Sequence, residues 1–183
     1  KSICEKNQAA FIHPFDDPRV IAGQGTAGLE LMAQAKALGV VPDAVLACCS
    51  GGGLATGTAI AVKAANAATE VFTVEPAGFD DFKRSLASGK REKNAAPTGS
   101  ICDALLSPTP GEITFALAQK HITGGLVVTD EEAREAMRFA FRELKLVVEP
   151  GGAAALAAVL AGKLPTKGRT IVALLSGGNV DPA

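Results

Sequence analysis

The residue types best suited to chemistry stand in Cys49-Ser50-Gly51-Gly52-Gly53-Leu54, between an apolar run from Ala44 to Cys49 and a small-residue run from Leu54 to Ala65. This order predicts a strand, a glycine turn and a helix start. Glycines without Cβ atoms can turn successive N–H groups into one concavity, and the helix end behind them adds partial positive charge. Such a nest suits a phosphate. A tight strand-to-helix turn with no ligand would use the same residues.

Two further clusters stand at the ends of predicted strands, Glu75 to Asp81 and Ser176 to Asn179. In an open α/β sheet ligands gather at the carboxyl ends of strands near a switch in strand order, so the three together point to a phosphate-bearing ligand. A competing signal is the G-x-G-x-x-x-G spacing from Gly51 to Gly57, with Glu75 about twenty residues further on, as in dinucleotide binders. Its glycines are one residue out of the G-x-G-x-x-G register. Glu75 and Asp81, around a tight turn, could offer a hard cation two carboxylates and a main-chain carbonyl. Asp80 or Asp81 could instead cap the next helix, and spacing alone favours the cap because it needs only one residue. The Ser176 hydroxyl could bond a ring nitrogen or merely its own turn. His13 and His121 have no acidic partners at metal spacing and read as structural or surface residues.

The elements that must position these clusters follow from pattern. Residues 1 to 9 read as the end of a polar helix, and Ala10-Phe11-Ile12 as a short strand stopped by His13-Pro14. Gly23-Gln24-Gly25-Thr26 leads into a helix with Thr26 as N-cap, and Gly39 stops it. Asp43 to Cys49 lacks polar alternation and fits a strand buried on both faces, as a parallel sheet requires. Thr69 to Val74 is the next strand, followed by a short helix near Asp81 to Ala87 and a polar loop from Ser88 to Ser100. Pro108-Thr109-Pro110 precedes a helix through Lys120, Gly124-Gly125 breaks the chain, and Leu126-Val127-Val128 is a third strand. Thr129 and Glu132 have capping-box spacing for a helix to about Lys145. An alanine-rich helix ends at Ala161, and Thr170 to Leu175 is the last strand. Strands alternating with helices predict an open, mostly parallel α/β sheet with helices on both faces.

Composition excludes several functions. The chain has 183 residues, 48% hydrophobic and 20% charged, with net charge −1 and no basic block, so no nucleic-acid partner is implied. No apolar run is long enough to span a bilayer. Cys4, Cys48, Cys49 and Cys102 lack Cys-x-x-Cys spacing and read as reduced thiols; with no signal peptide or spanning run read in the sequence, a cytoplasmic location is the default expectation. A first residue that is Lys rather than Met suggests a piece of a longer polypeptide.

His13-Pro14-Phe15-Asp16-Asp17-Pro18, Gly23-Gln24-Gly25-Thr26, Ser50-Gly51-Gly52-Gly53-Leu54, Val74-Glu75-Pro76, Val148-Glu149-Pro150 and Leu175-Ser176-Gly177-Gly178-Asn179-Val180-Asp181 occur in one consistent order. Together they resemble the serine/threonine dehydratases and serine racemases, pyridoxal-phosphate enzymes of the tryptophan synthase β-like fold. The resemblance implies that Ser50, Gly51, Gly52, Gly53 and Leu54 cradle the cofactor phosphate. It makes Ser176 the partner of the pyridine nitrogen. It also favours the cation over the cap, with Mg²⁺, Mn²⁺ or Ca²⁺ held by Glu75, the carbonyl of Phe79, and Asp81.

On the same resemblance, residues 1–12 are the tail of a small domain and 13–183 the large, cofactor-binding domain without its N-terminal segment. The lysine that forms the Schiff base is then expected ahead of residue 1, so no catalytic residue is assigned within this chain, and the chain alone is expected to be inactive. The implied reaction converts L-threonine, L-serine or a related β-hydroxy amino acid to a 2-oxo acid and ammonia, in a homo-oligomer. Racemisation of serine and elimination from 3-hydroxyaspartate are alternatives within the family. A dinucleotide-binding module and a non-catalytic interaction domain are alternatives outside it. Two departures stand out: Ser50 where the family's loop has glycine, and Asp103-Ala104 where it has Asp-Gly.

Overall fold

The computed structural model describes residues 2–181. Four parallel strands, β1 (Ala44–Cys48), β2 (Glu70–Pro76), β3 (Gly124–Val128) and β4 (Ile171–Ala173), lie in the order β3-β2-β1-β4. Helices α1 (Ser2–Asn7), α2 (Pro18–Ala37), α3 (Gly53–Ala65), α4 (Asp81–Ser88), α5 (Glu112–His121), α6 (Asp130–Phe139) and α7 (Pro150–Leu160) accompany them.

All five residues of β1 are buried, as its unbroken apolar run requires. Its side chains divide by parity. Ala44, Leu46 and Cys48 pack in a cluster with the alanines of α6 and α7. Val45 packs with Ala59 and Val62 of α3, and Ala47 and Cys49 with Ala55, Phe82 and Ala118 of α3, α4 and α5. The helices therefore cover both faces, as expected from the sequence. Because β2 lies on one side of β1 and β4 on the other, β1 and β4 flank the switch in strand order.

Several local expectations are corrected. Residues 10–12 form no strand. Helix α2 begins at Pro18, eight residues before Thr26: Asp17 is its N-cap, accepting from the Arg19 N–H at 2.8 Å, and Pro18 suits the first turn. The Thr26 hydroxyl donates to the Gly23 carbonyl inside the helix at 2.6 Å. Gly25, expected to lead into a helix, is instead a contact residue inside one, since a Cβ there would stand 3.0 Å from the Gly57 carbonyl of α3. Gly124 and Gly125 likewise belong to β3, where Lys83 leaves no room for a Cβ on Gly125. The Thr129–Glu132 capping box forms as expected, but α6 gives way to a π turn, Ala140–Leu144, closed by Lys145 at φ 60°.

Helix α5 starts at Glu112, after Pro108-Thr109-Pro110 as expected, but its cap comes from far along the chain. The Asp16 carboxylate accepts from the N–H groups of Glu112, Ile113 and Thr114 at 2.9, 2.8 and 3.1 Å. His13 Nδ1 accepts from the Asp16 N–H at 2.9 Å, which gives that histidine its structural role. Asp16→Ala is expected to lower the free energy of unfolding by about 1–2 kcal/mol in urea titrations, with Asp16→Asn losing less.

Candidate functional site

At the carboxyl ends of β1 and β4 lies a cavity of about 200 Å³ lined by Cys48, Cys49, Ser50, Gly52, Gly53, Leu54, Ala55, Ala104, Leu105, Glu149, Gly151 and Ser176. It brings together five of the six residues expected around a phosphate and ring. Gly51 is the exception: it does not line the cavity, and a Cβ there would stand 2.3 Å from the Phe15 ring.

Gly52 is the N-cap of α3 in the left-handed conformation, φ 99°, and has no side chain to satisfy the helix's first N–H groups. Gly52, Gly53 and Leu54 line the cavity, so the partial positive charge of this helix end lies at its wall. The loop is braced from outside. The Gly51 carbonyl accepts from the Gly111 N–H at 3.1 Å and from the Thr114 hydroxyl at 2.6 Å. Ser50 Oγ accepts from the Ser107 N–H at 3.1 Å, so its own proton remains available to donate.

Across the cavity, Ser176 Oγ stands 3.0 Å from Cys48 Sγ. Glu149 enters from the N-terminus of α7; its main-chain N–H donates to the Gly177 carbonyl at 2.9 Å and its carboxylate accepts from the Asn179 N–H at 3.1 Å. A Cβ on Gly177 would lie 2.5 Å from the Glu149 carboxylate, which would have to shift. Ala104 supplies the methyl group expected from the Asp103-Ala104 departure, on the same wall as Leu105. No lysine among the described residues lines the cavity. The reading of the sequence gave no role to Cys48 or Glu149; the signal available was the Val148-Glu149-Pro150 motif.

The acidic cluster lies at the end of β2 and the start of α4. Glu75 is fully buried, and its two carboxylate oxygens accept from the N–H groups of Phe82 and Lys83 at 2.8 and 2.7 Å. Glu75 therefore does what Asp80 or Asp81 was expected to do, because a residue pointing in from the strand reaches the helix end directly. Asp80 makes no side-chain cap bond. Burial pushes the Glu75 carboxyl well above the usual range, against the two N–H donors. Burial also raises Asp81 to about 6, although Asn94 donates to its Oδ1 at 2.6 Å. Asp81 Oδ2 is buried without a partner among the described residues. No group of three or more His, Cys, Asp or Glu side chains converges among them.

All four cysteines are free. Burial raises Cys48 and Cys49 and lifts Cys102 to about 11. At pH 8 an alkylating reagent is expected to label half-buried Cys4 and spare the other three until the chain unfolds, as read by mass spectrometry. The folded chain keeps the Cys102 proton that the unfolded chain releases, so stability falls as pH rises from about 9 to about 11. Cys102→Ser should remove roughly 2–3 kcal/mol of that loss in urea titrations above pH 11.

An open parallel sheet with a glycine turn and a hydroxyl facing one cavity at its switch point defines an α/β ligand-binding domain. The chain belongs to the pyridoxal-phosphate dependent enzymes, whose family model matches residues 1–177. It is 40% identical over 184 residues to a serine racemase of Dictyostelium discoideum and 39% identical over 180 residues to an L-threonine ammonia-lyase of Thermotoga maritima. These matches take in 99% and 98% of this chain but only 55% and 43% of the relatives, so the chain spans about half their length. The crystal structure of a threonine deaminase of T.th. superposes with a TM-score of 0.93 at 49% identity, covering 100% of this chain and 61% of that one.

Proposed function

We propose that this chain is the cofactor-binding part of a pyridoxal-phosphate-dependent ammonia-lyase that converts L-threonine, L-serine or a related β-hydroxy amino acid to a 2-oxo acid and ammonia. The carrying observation is the one cavity lined both by Gly52, Gly53 and Leu54 at the start of α3 and by Ser176. Relatives named threonine ammonia-lyase and dehydratase support the reaction class. Others named serine racemase and beta-hydroxyaspartate dehydratase keep those two activities as the alternative reading. On this reading residues 1–12 end a small domain and 13–183 form the large one, consistent with a mostly exposed segment from residue 3 to residue 12.

The residues fit the cofactor. Its phosphate would meet the N–H groups of Gly52, Gly53 and Leu54 and the Ser50 hydroxyl, with Gly51 shaping the turn from behind. Ser50, anchored by Ser107, would donate without rotating away. Ser176 would hold the ring nitrogen by a neutral hydroxyl, which does not favour its protonation as a carboxylate would. The bound cofactor supplies an electron-withdrawing ring for chemistry at the amino acid's α-carbon. Ala104 and Leu105 would exclude water from one side of that ring.

A divalent cation, Mg²⁺, Mn²⁺ or Ca²⁺, against Glu75, the Phe79 carbonyl and Asp81 is the finer part of the proposal. The unpartnered, buried Asp81 Oδ2 and the neighbouring buried Glu75 support it, because a hard cation offsets two buried carboxylates. A cytoplasmic, homo-oligomeric enzyme is proposed too. The free cysteines support a reducing compartment, and no helix among the described residues is long and apolar enough to cross a membrane.

The test uses the whole protein that carries this chain. It is expected to bind pyridoxal phosphate and release ammonia and a 2-oxo acid from L-threonine or L-serine; chiral chromatography separates this from racemisation. Binding of NAD in place of pyridoxal phosphate would overturn the assignment. Mg²⁺ is expected to raise the melting temperature of the wild type and not of Asp81→Ala. An equal rise in both would remove the cation.

A further inference from the structure

The contact between Cys48 and Ser176 has a consequence for which way the serine's proton points. Cys48 ends β1 on the side facing α7, 6% exposed, with its Sγ 3.0 Å from Ser176 Oγ; both residues and Glu149 line the cavity. Burial and the nearby Glu149 carboxylate keep the thiol protonated at neutral pH.

A hydroxyl has one proton and two lone pairs. When the thiol donates to Ser176 Oγ, one lone pair is engaged and the serine's proton is free for an acceptor in the cavity. When the serine donates to sulfur, that proton is withdrawn and a lone pair faces the cavity. A thiol is a weak donor and a weak acceptor, so the two arrangements are close in energy and an acceptor in the cavity selects the first.

We propose, on the basis of the cofactor reading above, that Cys48 is a positioning residue whose thiol holds Ser176 Oγ and directs the serine's proton to the ring nitrogen of the bound cofactor. The neighbouring Cys49 cannot do this, since it packs on the opposite face among Ala47, Ala55 and Phe82. The sulfur is then more than a filler between β1 and α7. Its proton, and not its volume, is what the site uses.

The two roles rank substitutions in opposite order. Valine keeps the cysteine's size and lacks the donor; serine keeps the donor and is smaller and more polar. Pyridoxine 5′-phosphate is a suitable probe because it has the ring nitrogen and phosphate but no aldehyde, so it forms no imine with any lysine. In fluorescence titrations of the whole protein, Cys48→Val and Cys48→Ala are expected to weaken its binding about fivefold, the worth of one modest hydrogen bond, and Cys48→Ser to restore it to within about twofold. The pH at which bound pyridoxal phosphate changes its absorbance should shift in Cys48→Val and return in Cys48→Ser. Melting temperatures identify any variant that fails to fold, and the alanine and serine variants alone suffice for the ranking. Binding in Cys48→Val or Cys48→Ala equal to or tighter than in Cys48→Ser overturns the positioning role while leaving the cofactor reading intact. A wild-type protein that binds neither probe overturns both.

Discussion

Gly52→Ala in the whole protein is expected to weaken binding of pyridoxine 5′-phosphate roughly a hundredfold, by a loss on the order of 3 kcal/mol. Gly52 stands at φ 99°, where a Cβ is costly in itself. That Cβ would also lie 2.3 Å from Phe82 Cε2 and 3.1 Å from Thr114 Cβ. Neither neighbour can yield cheaply. Phe82 is fully buried with its ring edge-on to Phe115, and Thr114 is bonded to the Gly51 carbonyl. Relief must come from the loop itself, which swings the first N–H groups of α3 off their common focus. Unchanged affinity in a folded variant would mean that the phosphate sits elsewhere.

The second large effect is on stability and separates two glycines that look alike in the sequence. A Cβ on Gly57 would lie 2.4 Å from the Ile21 carbonyl oxygen and 2.7 Å from the Gly25 nitrogen, both main-chain atoms of α2. The helices must move apart, along a contact that buries Ile21, Gly25 and Gly28 against α3. Gly57→Ala should cost about 3 kcal/mol or more and lower the melting temperature by roughly 10 °C. Gly23, one turn further along α2 from Arg19, has nothing within 4 Å of its virtual Cβ. Gly23→Ala should add about 0.5–1 kcal/mol and raise the melting temperature by a few degrees, since it only removes backbone freedom from the unfolded chain. Equal effects at the two positions, by calorimetry, would contradict the close α2–α3 approach.

What was legible in the sequence was what neighbouring residues decide. The apolar run into β1, the glycine turn, the capping box at Thr129 and the alanine helix α7 all rest on local pattern, and all are present. The misread points are those where a distant partner decides. Gly23 to Thr26 looked like a helix start because glycine breaks isolated helices, yet α2 tolerates Gly25 and Gly28 for the closeness they allow to α3. Asp16 caps a helix that begins at Glu112, and no spacing rule spans that interval. Glu75 displaced Asp80 as a cap because the strand aims it at α4, which depends on how β2 sits against that helix. Ser176 and the glycine loop were both expected near one ligand because each follows a predicted strand. Their meeting at one cavity depends on β4 returning beside β1.

The alternating sides of β1 tie two regions to one count of residues. Cys48 meets Ser176, the residue proposed to hold the ring, while Cys49 faces the half of the molecule that holds Glu75. Inserting or deleting a single residue upstream within that strand would exchange the two thiols and unseat both regions together. A change in the length of β1 is therefore costlier than the same change in the turns outside it.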